Sequence, residues 1–461
     1  MEFIGDNFLL NSELSINLYN NYCTKLPIFD YHCHLSTEEL YLDKPYNNLY
    51  EIWLKHDHYK WRLMRFNLTS EEIISGKDAY QCYLAYVKAL EKAADNPLYI
   101  WSHLELRRCF EIDEVIKSEN ARAIWDKANE YIINNRFSPR AAVKKFNVHT
   151  IVTTEEIYAE LKYHKLLKDS GFETVVLPAF RGDALINLDF NAINKMSEVT
   201  GVEIKDLAGL SAALNAQLDR FHKAGCVAAD IATEGLEFEP VTGEDAAAIF
   251  NKAVSGQEPT EQEKRGIKTY LLIDLMRLCY QRDWAVQLHI GASRNNNTKM
   301  YSLIGADSGF DSISDRGYIK AVGKLLDTLC LEGSLKKTVI YNLNPSDNYL
   351  VGAMLGNFAG CADMQLGAAW WFNDNKYGII NMLRDYASLS LLGNCLGMLT
   401  DSRSFISFTR HEFFRRLLCD YLADLVIRGE YPNDYALLSQ IIKGICFENA
   451  KEFFNISGRI L

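Results

Sequence analysis

The stretch Ile28-Phe29-Asp30-Tyr31-His32-Cys33-His34 decides how the rest of the chain is read. Apolar residues lead into it, and two histidines close it two positions apart. Side chains on a β-strand alternate between faces, so residues i and i+2 project together. On a strand, His32 and His34 therefore point into one space, as two ligands of one metal must. Neutral imidazole is the commonest protein ligand for a divalent cation such as zinc. A lone His-x-His pair also reads as two strand-end histidines with no role, so its meaning rests on what lies further along.

Short apolar, β-branched runs recur after it, with helix-like stretches between them. They are Val148–Thr153, Thr174–Phe180, Cys226–Asp230, Trp284–Ile290, Thr338–Leu343, Gln365–Trp371 and Leu396–Asp401. With Ile28–His34 as the first strand, the set supplies the eight βα units of a (β/α)8 barrel of the TIM type, an α/β fold. Residues 36–145 are too long for a simple crossover and read as a helical insertion after the first strand. The expected division is therefore 1–35 as an N-terminal arm and first barrel strand, 36–145 as an inserted helical subdomain, and 146–461 as the remaining barrel. The last part ends in a helical tail from about 410 to 461. No Pro/Gly/Ser-rich linker cuts the chain, and no internal repeat is evident.

The net charge of -11 argues against a nucleic-acid partner, although a site can be locally basic inside an acidic protein. No apolar run reaches the roughly 18 residues of a spanning helix, so no membrane role is expected. The eleven cysteines are scattered singly without a Cys-x-x-Cys pair, and acids stand near Met1 where a signal peptide carries basic residues. The expectation is a cytoplasmic protein with reduced thiols.

Parallel barrels build their sites at the carboxyl ends of the strands. The residues there are His32 and His34 on the first run, Thr153-Thr154-Glu155 on the second and Arg181 on the third. Asp230 ends the fourth and His289 the fifth. Trp370 and Trp371 end the seventh, and Asp401 the eighth, with Arg403 just after it. Two histidines from one strand, a third from another and an aspartate suit zinc or a similar divalent ion. Each has a plainer reading: His289 as a satisfied core histidine, Asp401 as a cap on Ser402-Arg403-Ser404, the arginines as ordinary salt-bridge partners, the tryptophans as core. Asp230 reads as a structural acid and stays outside the candidate set. Arg181 and Arg403 suit an anionic, oxygen-rich ligand, because guanidinium matches carboxylate in a bidentate fork. Tyr59, flanked by His58 and Lys60, lies in the insertion and can fold over the mouth. A phenol beside a cation acts as acid or base if its pKa is depressed.

Longer motifs run almost end to end: FDYHCHL at 29–35, DHYKWR at 57–62, NPLY at 96–99, WSHLEL at 101–106, QLHIG at 287–291 with RNNN at 294–297, and YNLNP at 341–345. WWFND at 370–374, GMLTDSRSF at 397–405 and RHEFFRR at 410–416 complete the set. In these the chain resembles the uronate isomerase (glucuronate isomerase) family, a divergent branch of the amidohydrolase superfamily. The resemblance implies a distorted (β/α)8 barrel with a helical insertion. It also implies the aldose–ketose interconversion of D-glucuronate with D-fructuronate and of D-galacturonate with D-tagaturonate. No strand-end lysine suits a second, bridged metal, so one divalent ion, zinc in the first instance, is expected. The sequence departs from the family pattern in three places. Ile231 follows Asp230 where a His is common, Thr153-Thr154-Glu155-Glu156-Ile157 replaces Thr-Thr-Asp-Asp-Pro, and Arg181-Gly182-Asp183 replaces Arg-Pro-Asp.

The roles expected from this resemblance are specific. Asp401 is the base at C2, working with Tyr59 through a cis-enediol. His32 and His34 hold the metal, with Asp401 near it or ligating it. His289 completes the shell or shuttles a proton, Arg403 stabilises the enediolate oxygens, and Arg181 binds the sugar's carboxylate. His58 and Trp371 contact the substrate, Trp371 through a flat apolar face. A homo-oligomer is expected. The alternatives are a metal-dependent hydrolase with the same opening motif, and a non-catalytic sugar-acid-binding protein on the same scaffold.

Overall fold

A computed structural model describes residues 3–315 and 317–456. Seven parallel strands form one sheet in sequential order: β1 (Ile28–Cys33), β2 (Val148–Glu156), β3 (Val175–Arg181), β4 (Ala228–Thr233), β5 (Ala285–Ile290), β6 (Thr338–Asn342) and β7 (Met364–Leu366). Helices join each strand to the next, which makes this an α/β fold of βα units. Every residue of β1, β5 and β6 is buried. Sheets covered on both faces read as unbroken apolar runs, which is why these segments stand out in the sequence.

The first six runs fall on strands, with ends shifted by a few residues. The weakest run moves most: Cys226–Asp230 becomes Ala228–Thr233. The last two runs need correction. The seventh, expected over Gln365–Trp371, forms only the three-residue β7. Gly367 lies so close to Tyr341 that a Cβ there would sit 2.3 Å from the ring, and Trp371 turns left-handed at φ 53°. The eighth run, Leu396–Asp401, forms no strand. Gly397 (φ 75°) and Asp401 (φ 47°) break the extended path, and the Asp30 side chain takes the Thr400 amide (2.8 Å) that a ladder would have satisfied. The run still lies against β1: the Asp401 amide donates to the His32 carbonyl (3.1 Å) and the His34 amide to the Ser402 carbonyl (2.9 Å).

Between β1 and β2 the chain is helical, from Thr37–Leu42 to Pro139–Lys145. One start signal there positions the site. Asp57 caps the helix His58–Phe66 by accepting from the Tyr59 and Lys60 amides, so His58 and Tyr59 occupy its first turn. Lys60, fully buried, pairs with Glu105 at 3.2 Å on the helix Pro97–Phe110. That second helix begins with an Asn96 cap and Pro97 in its first turn. The helical tail runs to Phe453, and 457–461 lie outside the described residues. No helix among the described residues is long and apolar enough to cross a membrane.

Candidate active site

Residues at or near the carboxyl ends of β1, β4 and β5 meet Asp401, the end of the eighth run, in one cluster. β1 carries an extra residue against β2, since Asp30 pairs with Ile151 and Cys33 with Thr153. Such a bulge re-aims the side chains around it. His32 and His34 both turn to one carboxylate: their Nε2 atoms lie 3.3 and 3.1 Å from Asp401 Oδ1. His289 Nδ1 lies 2.9 Å from Asp230 Oδ1, and the His32 and His289 rings are 4.7 Å apart. Two three-donor groups result, His32/His34/Asp401 and His32/Asp230/His289, each with ligand atoms within 4.8 Å of one another. Asp230 Oδ1 and both ring nitrogens of His289 are buried without an aligned hydrogen-bond partner, despite the short approach. Orphaned nitrogen and carboxylate donors around one shared histidine fit a divalent cation.

The charges of the cluster are interlocked. Burial pushes the Asp401 carboxyl up, but hydrogen bonds from His32 and His34 outweigh it and hold the group well below the carboxylate range. Burial likewise opposes ionisation of Asp230, and the surrounding His32, His289 and Arg181 overcome it. The His32 imidazolium is disfavoured by burial yet raised overall by Asp230, Asp401 and Asp30, whereas burial prevails at His34 and lowers it. Trp370 Nε1 donates to Asp401 Oδ2 at 2.9 Å, and the His289 ring stacks on Tyr341 with centroids 4.3 Å apart. The left-handed backbone at Asp401 is uncommon for a non-glycine residue and is held by these contacts.

The opposite wall comes from the helical segment between β1 and β2 and from loops. Tyr59 lies parallel to Trp371 at 6.4 Å and His58 meets the same indole edge-on at 5.6 Å. The Arg294 guanidinium sits over the Trp371 ring, 5.1 Å from its centroid. Together the two walls flank an open cleft of about 500 Å³, counting the part open to solvent. Every residue proposed from sequence lines this cavity: His32, His34, His58, Tyr59, Arg181, His289, Trp371, Asp401 and Arg403. No lysine is among the described residues that line it.

Two expectations change. Arg181 is not a free cation: it pairs with Asp183 (3.0 Å) and Glu156 (3.1 Å). Tyr59 does not meet the condition of a depressed pKa. Burial first, then Asp401, raises its phenol well above the usual value, and Arg410 only partly offsets this. Its hydroxyl is thereby kept in the protonated form that can donate a hydrogen bond. Residues that sequence reasoning passed over also reach the cavity: Asp230, Arg294, Asp307 and Trp370. Asp230 was visible as a strand-end acid, and its register opposite Arg181 is what brings it in. Arg294 stands in the RNNN motif. Asp307 carried no signal.

A parallel α/β sheet with a buried His/Asp cluster at its strand ends and arginines across the cavity defines an enzyme with the donors for a divalent cation. The glucuronate isomerase family model matches residues 1–454. A uronate isomerase of Caldanaerobacter subterraneus subsp. tengcongensis is 43% identical, over 99% of this chain and 100% of that one. The crystal structure of a Thermotoga maritima uronate isomerase superposes with a TM-score of 0.93 at 31% identity, covering 98% of this chain and 100% of its own. That of a Caulobacter crescentus glucuronate isomerase shares the fold with a TM-score of 0.91 at 22% identity, over 98% and 96%. The chain belongs to the glucuronate isomerase family, and as a member it is an isomerase.

Proposed function

We propose that the protein interconverts D-glucuronate with D-fructuronate and D-galacturonate with D-tagaturonate at a single divalent-metal site, with zinc as the ion. The observation that carries this reading is the cavity itself, where Asp401, Tyr59 and Arg403 line one space together with Arg181 and Arg294. The scaffold is read as a distorted (β/α)8 barrel, with the run at 396–401 standing in the eighth position and residues 36–145 as an inserted subdomain that supplies Tyr59.

Aldose–ketose exchange moves a proton from C2 to C1 through a cis-enediol, while the O2 proton passes to O1. Asp401, ionised and pinned by Trp370, takes the C2 proton and returns it to C1 on the same face. A carboxylate held this far down is a weak base. Stabilisation of the enediolate therefore contributes more than proton affinity does. Arg403 and the Tyr59 hydroxyl donate to the oxygens as charge develops there. His32, His34 and Asp401 would hold the metal, and the bound ion would supply Lewis-acid polarisation of the substrate oxygens. His289, joined to Asp230, completes the shell or carries the proton between oxygens. Trp371 gives the sugar ring an apolar face beside His58, and Arg181 faces its carboxylate.

Ketose formation from the two uronates, with and without chelator and added zinc, tests the proposal. Turnover of either sugar that falls on chelation and returns with zinc is expected. No turnover with metal present overturns it and leaves hydrolysis of amides or esters as the activity to assay.

A further inference from the structure

After β5 the chain does not pass directly into a helix that packs on the sheet. Ala292–Ser293 pairs antiparallel with Ser312–Ile313, and the Ser314 amide donates to the Gly291 carbonyl at 2.8 Å. Residues 291–314 thus form a strap beside the cavity mouth. Its one helix, Thr298–Ile304, buries none of its residues. Its far arm is tied down from the insertion: Arg62 donates to the Asp311 carbonyl (2.7 Å) and Arg65 to the Ser308 carbonyl (2.5 Å). Between the tied arm and the unburied helix stands Asp307, in the left-handed region at φ 55°. Its carboxylate enters the cavity, with Oδ2 3.2 Å from Arg403 and Oδ1 3.6 Å from Arg294.

We propose that Asp307 is a built-in carboxylate that fills the anion seat of the cavity and is displaced by the charged end of the sugar acid. This rests on the uronate reading above. A guanidinium fork receives a carboxylate in the same way whether it belongs to a side chain or to a ligand. Arg181, Arg294 and Arg403 all face Asp307, and together with His58 they favour its ionised form. Two carboxylates do not share such a seat without like-charge repulsion. Asp307 is about half exposed, so its ion pairs are weak and it can swing into water. The exchange has a consequence for selectivity. Arg403 is tied to Asp307 until a second anion arrives, so the guanidinium assigned to the enediolate oxygens is released by the arrival of the sugar's carboxylate. A neutral aldose leaves it occupied.

The test uses the full metal-loaded chain as wild type, Asp307→Asn and Asp307→Glu. It measures kcat and KM for both uronates, and Kd for D-gluconate, a sugar acid with no aldehyde to isomerise. Removing an internal competitor raises the population of the receptive state, so KM and Kd should both fall about 3–10-fold in Asp307→Asn. kcat should change by less than KM, and Asp307→Glu should stay near wild type. Unchanged or raised KM and Kd in Asp307→Asn overturn the proposal. If no uronate is turned over but gluconate still binds more tightly to Asp307→Asn, the competitor role stands and the uronate reading falls.

Discussion

The two walls of the cavity are built by different means. The inner wall places His32, Asp230 and His289 on buried strands or their ends, each 4% exposed or less. The outer wall places Arg294, Asp307 and Arg403 on loops, with side chains about a third to a half exposed. Buried donors hold their geometry because the sheet register fixes them, and their charges act in a medium that screens them little. Half-exposed loop residues exchange partners at small cost. Under the function proposed above, the inner wall would hold the metal, and the outer wall would select the ligand and, through Arg403, steady the charge that develops on it.

The largest effect that would break this contrast is at Asp401, where the two walls meet. Under the proposed mechanism, Asp401→Asn removes the base and a metal donor together. kcat should fall by roughly 10³-fold or more, beyond the 10²–10⁴ range of a lone proton-transfer group only if ligation is also lost. Steady-state kinetics with a metal assay separates the two. Full turnover in this variant would show that the base lies elsewhere.

A smaller effect is expected at Arg181. It belongs to the inner wall by burial of its strand and to the outer wall by its charge. Because Asp183 and Glu156 already share that charge, Arg181→Met should raise KM for uronates by about 10-fold while kcat falls less. An unchanged KM would place recognition of the carboxylate wholly on Arg294 and Arg403.

The smallest effect concerns stability behind the outer wall. Burial raises the Asp374 carboxyl to about 7, against the pull of Arg410, 3.7 Å away. Its folded pKa lies above the unfolded value of about 3.9, so the folded state binds more protons between those limits. The stability this confers is fully present below the unfolded pKa and is lost as pH rises toward 7. Asp374→Asn should therefore gain in melting temperature over wild type at pH 8 and show little gain at pH 4. An equal difference at both pH values would mean that Arg410 keeps Asp374 ionised throughout.

The inner wall was legible in the sequence and the outer wall only partly so, for a physical reason. Strands covered on both faces must be apolar along their whole length, so β1 to β6 announce themselves, and a polar residue at their ends is conspicuous. His32, His34 and His289 were found in that way, and Asp401 at the end of an apolar run that forms no strand. Asp230 was equally conspicuous. Its pairing with His289 depends on how β4 and β5 align, which no local pattern carries. The eighth run failed as a strand because two left-handed residues and one side-chain bond from Asp30 replaced the ladder, and hydropathy is blind to all three. Tyr59 was placed correctly at the mouth, but the sign of its pKa shift depends on burial contributed by distant segments. Asp307 lies in a strap with no apolar period at all.

The hydrogen bonds of Thr400 to Asp30 span 370 residues, and Arg415 reaches back to the Pro27 carbonyl at 2.6 Å across 388. On a ribosome adding 5–20 residues per second, about 20–80 s separate the emergence of the two partners. Through that interval Asp30, His32 and His34 have left the exit tunnel without the groups that satisfy them. The first motif translated is thus among the last to be completed, and a nascent chain halted before residue 400 carries His32 and His34 without the Asp401 carboxylate that both of them face.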